Sequence, residues 1–222
     1  MTVSTAFSDW KPLNPCEVNF PSSCIADTPT GLYSDPMKIF AISGSARLLS
    51  TNTALLAALQ SVAPSGIAIE VYDGIGRLPV FSPDLEEPRA PASVMQFLAK
   101  IAESDGLIIS SPEYVRSIPG GLKNAIDWLV SGEEIVGKPI ALVHASHRGD
   151  DMLSNLRTVL STVSSNFSEG IFFRLPVMKL TPQAILELLM EAENRSKAQE
   201  FLQRFATFCK SREDGLADAL AI

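Results

Sequence analysis

An α/β fold, with a parallel sheet covered by helices on both faces, is what this sequence predicts. A strand-then-helix alternation begins at Lys38 and repeats five times. Consecutive units of that kind close by right-handed crossovers and give a doubly wound sheet. Size agrees: 222 residues, 46% hydrophobic and 19% charged, suit one core-bearing domain with an appendage.

Residues 1–37 read as an irregular arm, rich in Ser and Thr, punctuated by Pro12, Pro15, Pro21, Pro29 and Pro36 and without helical or strand period. Residues 38–43 (KIFAIS) are a short apolar strand. A helix follows over 52–62, with Leu55, Leu56, Leu59 and Val62 on one face, then a strand over 67–72. A polar, Pro-containing loop (73–90) leads to a helix over 91–104, on which Val94, Phe97, Leu98 and Ile101 recur at helical spacing. Strand 106–110, helix 120–131, strand 139–145 and helix 151–164 continue the pattern, the last with Met152, Leu156, Val159, Leu160 and Val163 inward. A strand over 171–177 precedes one long helix over 181–210, announced by Thr181 as N-cap and Pro182 at the first helical position. Residues 38–210 therefore form the domain and 211–222 a tail.

Charge narrows the function. With 25 acidic against 18 basic residues the formal charge is −7, which disfavours nucleic acid and anionic membrane surfaces, since both need Lys/Arg fields. A small anionic ligand remains compatible, because local geometry overrides net charge. The three cysteines, Cys16, Cys24 and Cys209, form no CxxC, so neither a disulfide scaffold nor a zinc ribbon is expected, and a reducing, cytoplasmic compartment is. The first residues carry no basic-then-apolar leader pattern, and the uncharged run 48–69 is broken by Ser, Thr, Asn, Gln, Pro and Gly, so no membrane span is expected.

In open parallel sheets ligands bind beyond the carboxyl ends of the strands. Three loops leave those ends. The first, Gly44-Ser45-Ala46-Arg47-Leu48-Leu49-Ser50-Thr51-Asn52, joins a glycine turn, two hydroxyls and a guanidinium to a helix N-terminus. That is a cradle for a phosphate dianion. It has the spacing of neither GxGxxG nor GxxxxGK[ST], and an ordinary capping loop is the alternative. The second, Ser110 to Leu129, carries Pro112-Glu113-Tyr114, Ser117, Pro119 and two glycines; Tyr114 suits the face of a flat heterocycle. Trp128 is expected in the core, and Lys123 and Asn124 in capping or solvent-exposed positions. The third is Ala145-Ser146-His147-Arg148-Gly149-Asp150-Asp151. His144 before it reads as a core histidine, and Asp150 and Asp151 as caps of the next helix. No metal-ligand spacing and no GxSxG elbow occur.

GSARLLSTN resembles the GSxRxxSxN phosphate loop of the NAD(P)H-dependent FMN reductase family, and SPEYVRSIPGGLKNAIDWL is similar to that family's second signature, at the expected distance. The resemblance implies a flavodoxin-like three-layer sandwich whose five-stranded parallel sheet has the order 2-1-3-4-5. It implies FMN, with Ser45, Arg47, Ser50 and Asn52 on its phosphate and Pro112, Glu113 and Tyr114 along its ribityl chain and ring. Ser117, Ser146 and His147 complete the expected cofactor contacts. It also implies NAD(P)H as co-substrate, a small-molecule electron acceptor such as a flavin or quinone, a homodimer or homotetramer, and no catalytic side chain, because the cofactor carries the hydride chemistry. The third loop departs from the family pattern: His147, Arg148 and two aspartates stand where a glycine-rich Ser-x-Gly-x-x-Gly-Gly run is usual. Two other readings of the same scaffold are a flavodoxin-type electron carrier and a flavin-free binding or regulatory protein.

Overall fold

The computed structural model describes residues 35–86 and 88–220, the side chains of 212–220 excepted; the expected arm, with Cys16 and Cys24, lies almost wholly outside them. The strands are β1 (Met37–Ser43), β2 (Ile67–Tyr72), β3 (Gly106–Ser110), β4 (Ile140–His144) and β5 (Phe167–Arg174). The helices are α1 (Thr51–Ser61), α2 (Ala92–Ala102), α3 (Gly120–Asp127), α4 (Asp150–Val163), α5 (Pro182–Met190) and α6 (Ala192–Leu220). All five strands run parallel in the order β2-β1-β3-β4-β5, the flavodoxin-like order.

Strand alternation divides the core in two. Ile39 and Ala41 of β1, Ile108 of β3 and Ala141 and Val143 of β4 face α1, α5 and α6, where Leu55, Leu59, Ile185, Leu202 and Phe205 meet them. Phe40 and Ile42, Leu107 and Ile109, and Ile140 and Leu142 face α2, α3 and α4, against Phe97, Ile101, Ile126, Met152 and Leu156. Strands buried on both faces read as continuous apolar runs, which is how the central ones appear in the sequence. Trp128 is buried as expected, edge-on to Phe81 with ring centroids 5.1 Å apart.

Besides α3, which ends at Asp127 rather than at 131, three features differ from expectation. The fifth strand begins at Phe167 rather than 171; its register against β4 slips between Ile140 and Leu142, and Ser168, Glu169 and Gly170 in the irregular stretch mask the strand pattern. Beyond its end, the Leu175 and Val177 N–H groups still bond the carbonyls of His144 and Ala145. The single long last helix is two: Thr181 caps α5 as foreseen, its Oγ1 accepting from Ala184 N–H at 3.2 Å, but Glu191 adopts an extended backbone (φ −55, ψ 139) and α6 starts afresh at Ala192. Finally, α6 continues to Leu220, through most of the expected tail.

Candidate functional site

Loop one leaves β1 at Gly44, whose N–H bonds Ser110 O at 2.7 Å. A Cβ on Gly44 would stand 2.7 Å from Ser111 Oγ and 2.9 Å from Leu122 Cδ2, so only glycine lets the first two loops lie this close. Ser45 and Ser50 are buried. Ser45 Oγ accepts from Arg47 N–H (3.3 Å), and Ser50 Oγ caps α1 by accepting from the N–H groups of Asn52 (3.2 Å) and Thr53 (3.4 Å). Both hydroxyl protons stay available to a ligand. The first turn of α1 carries no acidic residue, so its positive end is not neutralised from within the helix. Asn52 is buried and turns Oδ1 to Ser110 Oγ at 3.0 Å. Arg47 is exposed, and its guanidinium has no partner among the described residues.

Loop two contributes Ser111, Pro112 and Glu113, then folds into a tight turn in which Tyr114 and Ser117 exchange backbone hydrogen bonds of 3.2 and 3.0 Å. Val115 and Arg116 at its tip take left-handed conformations (φ 52 and 57), as a primed turn requires. That costs a β-branched residue most, and Val115 is 98% exposed. The Glu113 carboxylate accepts from Met152 N–H at 3.0 Å, so loop two caps the start of α4. This corrects the assignment of that cap to Asp150 and Asp151. The N-cap position is Gly149, without a side chain, while Asp150 pairs with Arg174 and Asp151 with Arg116. The Arg174 guanidinium holds the Asp150 carboxyl below the usual aspartate range. Asn124 is likewise neither cap nor surface: it takes Phe81 N–H on Oδ1 (2.8 Å) and donates to Pro79 O (3.0 Å), where Trp128 Nε1 also donates (2.9 Å). Lys123 pairs with Asp127.

In loop three Ser146 Oγ accepts from Arg148 N–H at 2.9 Å, and His144 Nε2 bonds the carbonyl of the same Arg148. Gly149 then turns the chain at φ 99, where a Cβ would lie 2.9 Å from His144 Nε2, so position 149 needs glycine for both conformation and space. His144 is 1% exposed, as a core histidine should be, but only half satisfied: Nδ1 has no hydrogen-bond partner. Burial lowers its pKa below the ordinary histidine value, Arg174 adds to that, and the Arg148 carbonyl, Asp150 and Glu113 oppose it. The ring is thus neutral at pH 7, with its proton on Nε2 facing the carbonyl.

The three loops enclose a cleft of about 260 Å³ at the carboxyl ends of β1, β3 and β4. Asn52, Pro112, Glu113 and Ser146, singled out from sequence, line it; Ser111, His144, Arg148, Gly149 and Met178, not assigned to the site from sequence, line it too. Ser45, Arg47 and Ser50 form the loop alongside, Tyr114 and Ser117 the turn that ends the second wall, and His147 is exposed and does not line the cleft. Larger hollows of about 630 and 680 Å³ open at the opposite ends of the strands, among Lys38, Asp105, Glu103 and Lys138. They are shallow junctions between elements rather than a convergence of ligand-binding loops, and they lie at the wrong end of a parallel sheet. The described residues contain no group of three or more His, Cys, Asp or Glu suited to a metal ion, and none of their helices is long and apolar enough to cross a membrane.

Strand order and loop placement define a flavodoxin-like α/β protein with a cleft at the carboxyl ends of its central strands. The profile of the NADPH-dependent FMN reductase family matches residues 37–174. A quinone reductase of Pseudomonas putida is 32% identical over 179 residues, 75% of this chain and 91% of that one. A quinone reductase of Escherichia coli is 34% identical over 119 residues, 52% of this chain and 63% of that one; the chain thus spans under two thirds of that relative's length. Among solved structures, a flavoenzyme NAD(P)H:acceptor oxidoreductase of Paracoccus denitrificans superposes with a TM-score of 0.61 at 25% identity, over 79% of this chain and 98% of that one. The chain belongs to the NADPH-dependent FMN reductase family.

Proposed function

We propose that this chain is an FMN-dependent NAD(P)H oxidoreductase that passes reducing equivalents from a nicotinamide cofactor through bound FMN to a flavin, quinone or similar small-molecule acceptor. The observation that carries the reading is the loop-one cradle beside the cleft: two buried serine hydroxyls, a guanidinium without a partner among the described residues, and a helix whose first turn, free of acidic side chains, brings Thr51 and Asn52 to the cleft lining. That donor set fits a phosphate monoester. FMN supplies the hydride-accepting ring when bound, and the protein's part is binding, orientation and electrostatics. Ser45, Arg47, Ser50 and Asn52 would hold the phosphate. Pro112 and Glu113 would flank the ribityl and ring portions, with Tyr114 and Ser117 at the turn beside them and Ser146 across the cleft; His147, outside the lining, would reach the cofactor only from the cleft's edge.

The test is purification with FMN, visible absorbance of retained flavin, and steady-state oxidation of NADH or NADPH with a quinone. Flavin retention with turnover supports the reading; a chain that retains no flavin and oxidises neither nucleotide overturns it. Arg47→Ala should weaken FMN about 10- to 100-fold, since hydrogen bonds to charged groups contribute about 1.5–3 kcal/mol. Unchanged retention would remove the phosphate site from loop one. A homodimer or homotetramer belongs to the same proposal. It is supported by Leu48, 99% exposed, and by Leu49 and Val115 on the same loops, apolar side chains that a partner copy would cover. Light scattering of a monomer would reject it. A cytoplasmic setting, where nicotinamide cofactors circulate, is the compartment this chemistry calls for.

A further inference from the structure

Arg148 is the charged group of the cleft that the functional reading leaves without a task. Its backbone is clamped on both sides, N–H to Ser146 Oγ at 2.9 Å and carbonyl to His144 Nε2, and the αL Gly149 fixes the chain direction immediately after it. Neither clamp uses the Arg148 side chain. Arg148 is one of the residues that line the cleft; it is exposed, and its guanidinium has no partner among the described residues. Of the neighbouring carboxylates, Asp150 pairs with Arg174 and Asp151 with Arg116, while Glu113 has no cationic partner among the described residues and accepts the Met152 N–H. His144, whose Nε2 bonds the Arg148 carbonyl, is neutral at pH 7. Loop three therefore brings to the cleft one arginine that has no ion-pair partner among the described residues, and Glu113 is the other charged residue of the lining.

We infer that Arg148 makes this cleft favour the reduced, anionic form of the bound FMN over the oxidised, neutral-ring form. The inference rests on FMN occupying the cleft, as proposed above. Two-electron reduction by hydride adds a negative charge to the ring system, and a fixed cation at the cleft wall interacts with that charge but little with the neutral ring. Arg148 is then a residue that sets the cofactor's redox poise, while the loop-one cradle, which meets the phosphate in either state, sets its retention.

The experiment is the midpoint potential of FMN bound to the wild-type protein and to Arg148→Ala, Arg148→Gln and Arg148→Lys, measured over a range of pH. The Ala and Gln variants should hold reduced over oxidised FMN at least tenfold less favourably, a fall of about 30 mV for a two-electron couple. Lys should restore most of it. In the Ala and Gln variants the pH at which the reduced ring takes up its proton should rise, a signature that a purely structural role would not give. FMN bound with an unchanged potential in Arg148→Ala overturns this inference and leaves the functional reading standing. A chain that binds no FMN overturns both. An unchanged potential with a rise in KM confined to NADPH would assign Arg148 to the 2′-phosphate of the dinucleotide instead, and equally overturns the inference.

Discussion

At Glu113 a carboxylate from the second loop accepts the Met152 N–H at the start of α4. Glu113→Ala should therefore cost about 1 kcal/mol, as loss of a helix cap does, with Gln costing less because it keeps an acceptor; urea denaturation midpoints measure both. At His144 the folded-state pKa is depressed by burial, so the unfolded chain binds the proton more readily. Stability from this group is complete above the unfolded value of about 6.5 and falls as pH drops below it, by at most about 1.4 kcal/mol per pH unit. His144→Gln should flatten that acid limb in urea titrations near pH 5 to 7. At this scale the sequence was only partly readable. The loop-one donors announce themselves because Ser, Arg and Asn precede a helix start at recognisable spacing. Arg148 and His144 do not, since whether a loop residue turns into a cleft depends on the αL turn at Gly149 and on hydrogen bonds closed only in three dimensions.

The elements themselves followed from apolar periodicity wherever they are buried on a face, and departed where a local break is not announced by that periodicity. Glu191 interrupts the last helical run through its backbone conformation alone, and Asn194 Nδ2 bonds Leu188 O across the break at 3.0 Å. Similarly, β5 hides its start behind polar residues that sit at a register slip. The segment before α2 shows the opposite case, a stretch without periodicity that is nonetheless fixed. Asn124 on α3 takes Phe81 N–H and donates to Pro79 O, tying the β2–α2 connection to the helix that follows the second loop. Asn124→Ala leaves the Phe81 N–H unmet and should cost about 1–3 kcal/mol in urea unfolding, with faster proteolytic cleavage near residue 80. Thr181→Ala, removing an N-cap from an element far from the cleft, should cost about 1 kcal/mol without altering FMN retention.

Across the whole molecule, the strand–helix alternation was enough to predict the layers, and the family signatures the strand order. Net charge was the weakest guide: a chain of −7 still brings an arginine without an ion-pair partner to the cleft, because Asp150 and Asp151 beside it are paired with Arg174 and Arg116. The contacts among the three loops have a further consequence. Gly44 N–H to Ser110 O, Ser110 Oγ to Asn52, Glu113 to Met152 N–H and Arg116 to Asp151 join each loop to the next without any ligand atom. Amides at Gly44 and Met152 should exchange slowly in the FMN-free protein and change little when FMN is added, whereas those of Arg47 to Leu49 should slow. A cleft stitched in this way has little ordering left to do when its ligand arrives. Loading should then proceed as a single bimolecular phase, linear in FMN concentration, with no slower closure step behind it.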